Sequence, residues 1–453
     1  MVSASTLCKN LMNVNASDVV IEDSYFTVDA KEVKHLKINA RPSKRKEHLC
    51  PKCSKKCPVY DHRSTKTWRG VDAGGLVTDI ESEVVRVTCP EHGVVTASVP
   101  WAYEGSRFTK DFDFTVSWLA RYLPRSTVCQ FMRIDWETIG RCIGRTLHVL
   151  EPDLSSRLNG LVNIGIDETS YKKGYKYITV IVNHDTNSVV WVHDGHGKSV
   201  LTEFFNTLTP EQRASIKCVT GDGARWITEC VEEFLPGCTR CIDPFHVVEW
   251  AMDALDEVRR EAWRKAQEKS KELEKKHPPK KGRPKADDKA AQKIKEAKNK
   301  ASEIKGSAYA LGKAPEHLTE NQQKRLEMIS LEDKRLYRAY TEKEQLRLLL
   351  KMDNVKEAED ALKTWLWKTS HSKIPVMVEL SRKIRRHKEH ILNTIALGLS
   401  NARVEATNNN IKLIIRKAYG FRNLDNMMAM IYLVCSDLEI PLPNRAKKSP
   451  KAA

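Results

Sequence analysis

The sequence predicts an α/β protein: a mixed sheet split by an all-helical insertion and preceded by a cysteine-bearing module and a three-helix unit. Three observations point to this class. Short strand-forming runs alternate with helical periodicity between Asn159 and His246. Two metal-spaced pairs, Cys50-Pro-Lys-Cys53 and Cys89-Pro-Glu-His92, stand well upstream of that region. A long, strongly charged helical stretch separates it from one further amphipathic helix after Ser400. At 453 residues the chain exceeds one ordinary core and suggests about two to four domains. Its 41% hydrophobic content suffices for globular packing. The formal charge of +17 favours a polyanionic partner, because each neutralised phosphate releases counterions. No apolar run approaches the ~20 residues of a membrane span, and Met1 to Thr6 lacks the basic and apolar regions of a signal peptide. A cytoplasmic chain with no membrane partner is therefore expected, its twelve cysteines serving as metal ligands or buried thiols rather than disulfides.

After a lead segment, 1–44, the module 45–105 carries the two pairs, separated by strand-rich sequence such as Thr67-Trp-Arg-Gly-Val71 and Glu83-Val-Val-Arg-Val-Thr88. Two-residue gaps let both members of a pair reach one tetrahedral ion, and the Pro in each suits a knuckle turn. Cys50, Cys53, Cys89 and His92 thus read as a Zn²⁺ site. Such sites supply about 10 to 16 kcal/mol of apparent binding energy in zinc peptides, enough to fold a region with few large apolar residues. Cys57 can replace a ligand, which leaves the fourth position open between it and His92.

Residues 106–155 read as helical, with Leu119, Leu123, Val128, Phe131, Ile139 and Ile143 at helical spacing. Ser126 and Asp135 are good N-caps before the second and third segments, which makes a helix-turn-helix pattern. The third helix would present Trp136, Glu137, Arg141 and Arg145 outward, with its N-terminal residues meeting base edges. A three-helix packing unit without DNA contact is the alternative.

Residues 156–250 give strands at Leu161–Ile166, Tyr177–Val182, Ser188–His193, Ile216–Thr220 and Thr239–Ile242, with helices near Ser199–Thr207 and Ala224–Phe234. Three consecutive strands followed by strand-helix units suit a ribonuclease-H-like sheet, in which the first and fourth strands lie side by side. Asp167 and Asp222 each follow one of those two strands. A strand-end Asp also serves as a turn or helix cap, most plainly Asp222 before Gly223. Residues 251–395 form the helical insertion, in which Leu346, Leu349, Leu350, Leu362, Trp365 and Leu366 keep helical register. Within it Lys280-Lys-Gly-Arg-Pro-Lys285 reads either as a minor-groove hook or as a solvated loop. The final core helix, 396–440, carries an apolar stripe of Val404, Ile411, Ile414, Ile415 and Ala418. On the adjoining face stand Glu405, Asn408, Asn409, Lys412 and Arg416, and Gly420 ends the helix. The basic tail 441–453 is expected to be disordered.

Three motif stretches carry a resemblance: Gly165-Ile-Asp-Glu-Thr-Ser170, Thr220-Gly-Asp-Gly-Ala-Arg-Trp226, and Ser400-Asn-Ala-Arg-Val-Glu-Ala-Thr-Asn-Asn409 followed by Arg416-Lys-Ala-Tyr-Gly-Phe-Arg-Asn423. With Asp243-Pro-Phe-His-Val-Val248 and the cysteine cluster, they resemble the ISL3 family of insertion-sequence transposases, within the larger Asp-Asp-Glu group. The resemblance covers about residues 45 to 435. It implies an enzyme that binds the terminal inverted repeats of its element, cuts DNA strands and joins the freed 3′ ends to new DNA. Asp167, Asp222 and Glu405 would hold two Mg²⁺ (or Mn²⁺) ions, since hard cations take oxygen ligands. Lys412 and Arg416 would hold phosphates, and His246 would orient the site or contact the scissile strand, unless it is structural. Glu168 would point to the other side of its strand and has no metal role. The implied partners are double-stranded DNA, both element ends and target, and further copies of the chain, at least a dimer on DNA, in a bacterial nucleoid. A DNA-binding regulator or a catalytically silent relative is the alternative.

Overall fold

The computed structural model describes residues 3–278, 289–398 and 402–443. The hook-like run Lys280–Lys285, the start of the Ser400–Asn409 motif and the tail 444–453 lie outside them. The lead segment is folded: helix α1 (Ala4–Leu11) precedes β1 (Val19–Val28) and β2 (Lys34–Pro42). These strands share one sheet with β3 (Val59–Arg69), β4 (Val77–Cys89) and β5 (Gly93–Thr96), ordered β1-β2-β4-β3 with β5 also paired to β4. Ile38, Ile80, Trp68 and Trp101 fill its core, the two indoles meeting edge to face at 5.8 Å.

The three-helix unit follows as α2 (Lys110–Tyr122), α3 (Arg125–Met132) and α4 (Trp136–Leu150). Asp135 caps α4, its carboxylate accepting from the Thr138 amide at 2.7 Å. Ser126 does not cap α3, which begins one residue earlier behind Pro124 with no side-chain cap. Phe131 also departs from expectation: it is exposed, because Met132, four residues after Val128, takes the inward position. Gly140 is required in α4, since a Cβ there would overlap the Asn426 side chain.

The second sheet has the order β10-β9-β6-β7-β8. Its strands are β6 (Asn163–Lys172), β7 (Lys176–Asn183), β8 (Ser188–Asp194), β9 (Cys218–Gly221) and β10 (Thr239–Ile242). β9 lies parallel to both β6 and β10, whereas β7 runs antiparallel to β6 and β8. Period-two alternation divides β7 between two cores. Ile181 faces Phe204, Phe205 and Val231 of α5 (Lys198–Thr207) and α7 (Arg225–Phe234), with the short α6 (Pro210–Ser215) between these helices. Ile178, Val180 and Val182 face the three-helix unit and the C-terminal helices. Cys241 lies within β10 and Cys238 just before it.

From β10 the 33-residue α8 (Pro244–Lys276) runs directly into an all-helical body. It comprises α9 (Lys289–Gly306), α10 (Ala308–Gly312), α11 (Glu320–Glu332), α12 (Lys334–Leu349), α13 (Val355–Ser370), α14 (Pro375–Arg386) and α15 (Lys388–Leu397). Leu346, Leu349, Leu362 and Trp365 pack here with Leu255 and Val258 of α8. α15 returns the chain to the sheet: Thr394 Oγ1 donates to the Ile242 carbonyl at 2.8 Å, and Asn393 Nδ2 to the Arg240 carbonyl at 3.2 Å. α16 (Ala402–Lys417) then crosses β6, and α17 (Leu424–Val434) closes the core. No helix among the described residues is long and apolar enough to cross a membrane.

Candidate functional site

Strand register sets the site. β6 and β9 pair in parallel with Gly165 opposite Thr220, so Asp167 and Asp222, each two residues further on, emerge level with one another. β9 and β10 pair with Gly221 opposite Ile242, which brings Asp243 level with Asp222. Three carboxylates therefore stand along one edge of three adjacent parallel strands. Asp167 does not end its strand, as the sequence suggests. β6 continues to Lys172 against β7, and only its pairing with β9 stops before Asp167. The strand end seen in the sequence is the end of one ladder.

Burial pushes the Asp167 carboxyl up to about 6. The Glu168 amide and His246 oppose that shift, while Asp222 and Asp243 add to it. From α16, Asn408 Nδ2 donates to Asp167 Oδ2. Asn408 is 5% exposed, and its Oδ1 is buried with no hydrogen-bond partner among the described residues. Asp222 Oδ1 accepts from the Ala224 amide at 2.9 Å, and buried Arg240 donates to the Asp222 carbonyl. Gly223 must lack a side chain, because a Cβ would overlap the Trp250 ring. Glu168 turns to the Gly195–Gly197 loop, accepting from the Gly197 amide at 2.8 Å. Glu405 is exposed on α16, three residues before Asn408. Among the described residues, the only three or more Cys, His, Asp or Glu ligand atoms lying within 4.8 Å of one another belong to the cysteine module. The Asp167, Asp222 and Glu405 set is thus more open than a closed metal cage.

The module's cluster is Cys50, Cys53, Cys89 and His92. Cys53 and Cys89 Sγ stand 3.7 Å apart, and His92 Nδ1 stands 3.7 Å from Cys50 Sγ and 3.5 Å from Cys89 Sγ. Those are the edge lengths of a tetrahedron around zinc with bonds of about 2.3 Å to sulfur and about 2.0 Å to nitrogen. Sequence position explains the assembly: Cys89 ends β4, Gly93 opens β5 opposite it, and the tight turn between them projects His92. Burial raises the Cys89 thiol, yet the Glu91 and His92 amides and the Cys53 and Cys50 thiols hold it down to about 7. Cys57 stays outside the cluster, its Sγ donating to the Lys55 carbonyl at 3.4 Å. None of the twelve cysteines is in a disulfide.

Comparison with known proteins finds three family models matching successive parts of the chain. A family model described as a transposase matches residues 164–431, a helix-turn-helix domain of transposase family ISL3 matches 97–143, and a zinc-finger of transposase IS204/IS1001/IS1096/IS1165 matches 46–92. The chain belongs to the ISL3 family of transposases. The transposase for insertion sequence element IS1557, from two Mycobacterium tuberculosis strains, is 37% identical over 440 residues, covering 97% of each chain. The transposase for insertion sequence element IS1001 of Bordetella parapertussis is 23% identical over 392 residues, covering 86% of this chain and 88% of its own.

Within this ISL3 transposase, two of the four residues expected to face outward on α4 are placed differently. Arg145 turns inward, its Nε and Nη2 donating to the two oxygens of fully buried Asp113 at 2.7 Å each. It holds α4 to α2 and is not presented to a ligand. Trp136 is half-buried, with the Arg125 guanidinium 5.8 Å from its ring. Arg141 and Glu137 are both exposed, joined in an i,i+4 pair. Lys412 and Arg416 are exposed along α16. His246 pairs with Glu249 at 3.1 Å on the first turn of α8, close enough to Asp167 to lower its pKa. Asp243 caps α8, accepting from the Phe245 amide at 3.1 Å, and also stands on the carboxylate edge, a place its motif alone does not reveal. The signal was present, since Asp243 follows its strand as Asp222 follows β9. Asn408, grouped by periodicity with Glu405, Asn409, Lys412 and Arg416, is instead buried against β6, where it bonds Asp167.

Proposed function

We propose that this transposase binds the terminal inverted repeats of its element as double-stranded DNA and performs metal-dependent strand cleavage and strand transfer at the Asp167–Asp222 edge. The level register of Asp167 and Asp222 carries this reading. The strand order, with β7 antiparallel and β9 and β10 parallel on the far side of β6, supports a ribonuclease-H-like core, 156–250 and 396–440, split by the insertion 251–395. The module 45–105 holds Zn²⁺, the unit 106–155 reads DNA with Arg141, and at least two copies act together on DNA. The donors fit Mg²⁺ or Mn²⁺: they are all oxygens, Asn408 Oδ1 is buried and unspent, and Asp167 sits where a divalent charge offsets its burial. A bound pair of such ions supplies a Lewis acid for water and for the 3′ hydroxyl. Asp167 and Asp222 would hold the ions, Glu405 would complete the ligand set from α16, and Asn408 orients Asp167. Lys412 and Arg416 retain backbone phosphates further along the same helix.

Carboxylate-to-amide changes test this with a labelled end duplex and Mg²⁺. Asp167→Asn, Asp222→Asn and Glu405→Gln each abolish cleavage, leave end binding within about twofold, and combine non-additively because one missing ligand disables the site. Glu168→Gln is much milder. Near-normal cutting by Glu405→Gln places the third ligand elsewhere, with Asp243 the next to test. A protein that binds ends but never cuts is the silent relative.

A further inference from the structure

The helical insertion approaches the carboxylate edge beside Asp222, over Trp250 near the start of α8. The Trp250 ring lies against Gly223, the residue after Asp222, so closely that no side chain fits there. On that ring sits Lys383 from the last turn of α14, its Nζ 3.7 Å from the ring centroid. His387, just after α14, flanks the same indole at 5.5 Å. Lys383 makes no ion pair among the described residues, although Asp222, Asp253 and Glu249 all lie within its electrostatic reach. A lysine held by a ring keeps its three donors for a ligand, whereas one held by a carboxylate has spent its charge. Arg385 and Arg386 continue the positive surface on the same turn. The position is fixed, since α15 is bonded to the β10 carbonyls and Ile384 is buried in the insertion core.

The geometry points to Lys383 as a phosphate-binding residue of the active site, supplied by the insertion, which grips the backbone of the DNA strand as it passes Asp222. This rests on the reading of Asp167 and Asp222 as the cleavage site. The role is one of positioning: the ammonium holds a phosphate beside the reacting one, and Trp250 fixes the lysine stem so that little side-chain freedom is lost on binding. The insertion is then part of the substrate channel and not only a spacer or an oligomer contact.

The test pairs Lys383→Met, which keeps the stem over Trp250 and removes the charge, with Lys383→Arg, which keeps the charge. Without added Mg²⁺ or Mn²⁺, where no cutting occurs and the cysteine module keeps its zinc, wild type is expected to bind an end duplex extending across the cleavage position more tightly than one stopping short of it. Lys383→Met should lose about tenfold of that preference, and Lys383→Arg should retain most of it. With Mg²⁺, single-turnover cleavage by Lys383→Met should fall by a similar factor while binding to the truncated duplex stays unchanged. Equal preference and equal cleavage in Lys383→Met and wild type overturn the assignment. So does an equal loss in Lys383→Arg, which makes the residue a packing element. Asp222→Asn, run in parallel, separates the two readings: if it still cuts, the cleavage site itself has been misplaced and the lysine proposal falls with it.

Discussion

Arg145→Ala distinguishes an architectural arginine from a DNA-reading one, and the structure sets the size of the effect. The Asp113 side chain is 0% exposed and that of Arg145 22%, joined by two bonds of 2.7 Å. Removing the guanidinium leaves a carboxylate buried between α2 and α4 with no cation, a change that costs about 3 to 5 kcal/mol. At about 1.4 kcal/mol per decade, the opening equilibrium of the three-helix unit should rise by about two to four orders of magnitude. Hydrogen exchange read on the α2 and α4 amides measures this directly. Asp113→Asn combined with Arg145→Ala should recover part of the loss, because the buried charge is gone. Arg141→Ala, at an exposed i,i+4 pair worth about 0.3 to 0.5 kcal/mol, should leave exchange almost unchanged and reduce the preference for element ends over random duplex. Unaltered exchange in Arg145→Ala together with lost end preference would refute the reasoning and return Arg145 to the DNA interface.

Two further outcomes follow from other parts of the fold. Metal analysis should find about one zinc per chain, with Cys53→Ser releasing it, while Cys57→Ser retains it; a zinc-free Cys57→Ser protein would bring Cys57 into the site. In the insertion, Glu342 is 5% exposed and burial pushes its carboxyl up to about 7 from 4.5. A raised folded pKa means that the native state keeps the proton longer than the unfolded chain does. Stability therefore falls by about 3 kcal/mol between pH 4.5 and pH 7 and is flat above. Glu342→Gln should remove that fall and raise the melting temperature at pH 8; an unchanged pH profile would show that another group is responsible.

Local chemistry is what a sequence encodes most directly. The spacing of Cys50, Cys53, Cys89 and His92, the Asp135 cap, the strand alternation around Asp167 and Asp222 and the apolar stripe of α16 all depend on neighbours within a few residues, and all were legible. What the sequence left open involved partners far away in the chain. Whether His92 or Cys57 stands with the three other cysteines depends on the β4–β5 register. Whether Arg145 faces solvent depends on the charge buried at Asp113, thirty-odd positions earlier. Asn408 and Lys412 look alike on a helical wheel, yet one is sealed against β6 and the other is wet, because packing angle and not periodicity selects the buried side. Asp243 reads as a cap from its own turn and becomes the third edge carboxylate only when β10 pairs beside β9. The sequence by itself determined which groups could do the chemistry, since residue type and short-range spacing set ligand and cap geometry. Only the tertiary structure decided which of them meet, because strand register and helix docking are sums of many weak, distant contacts that no local pattern contains.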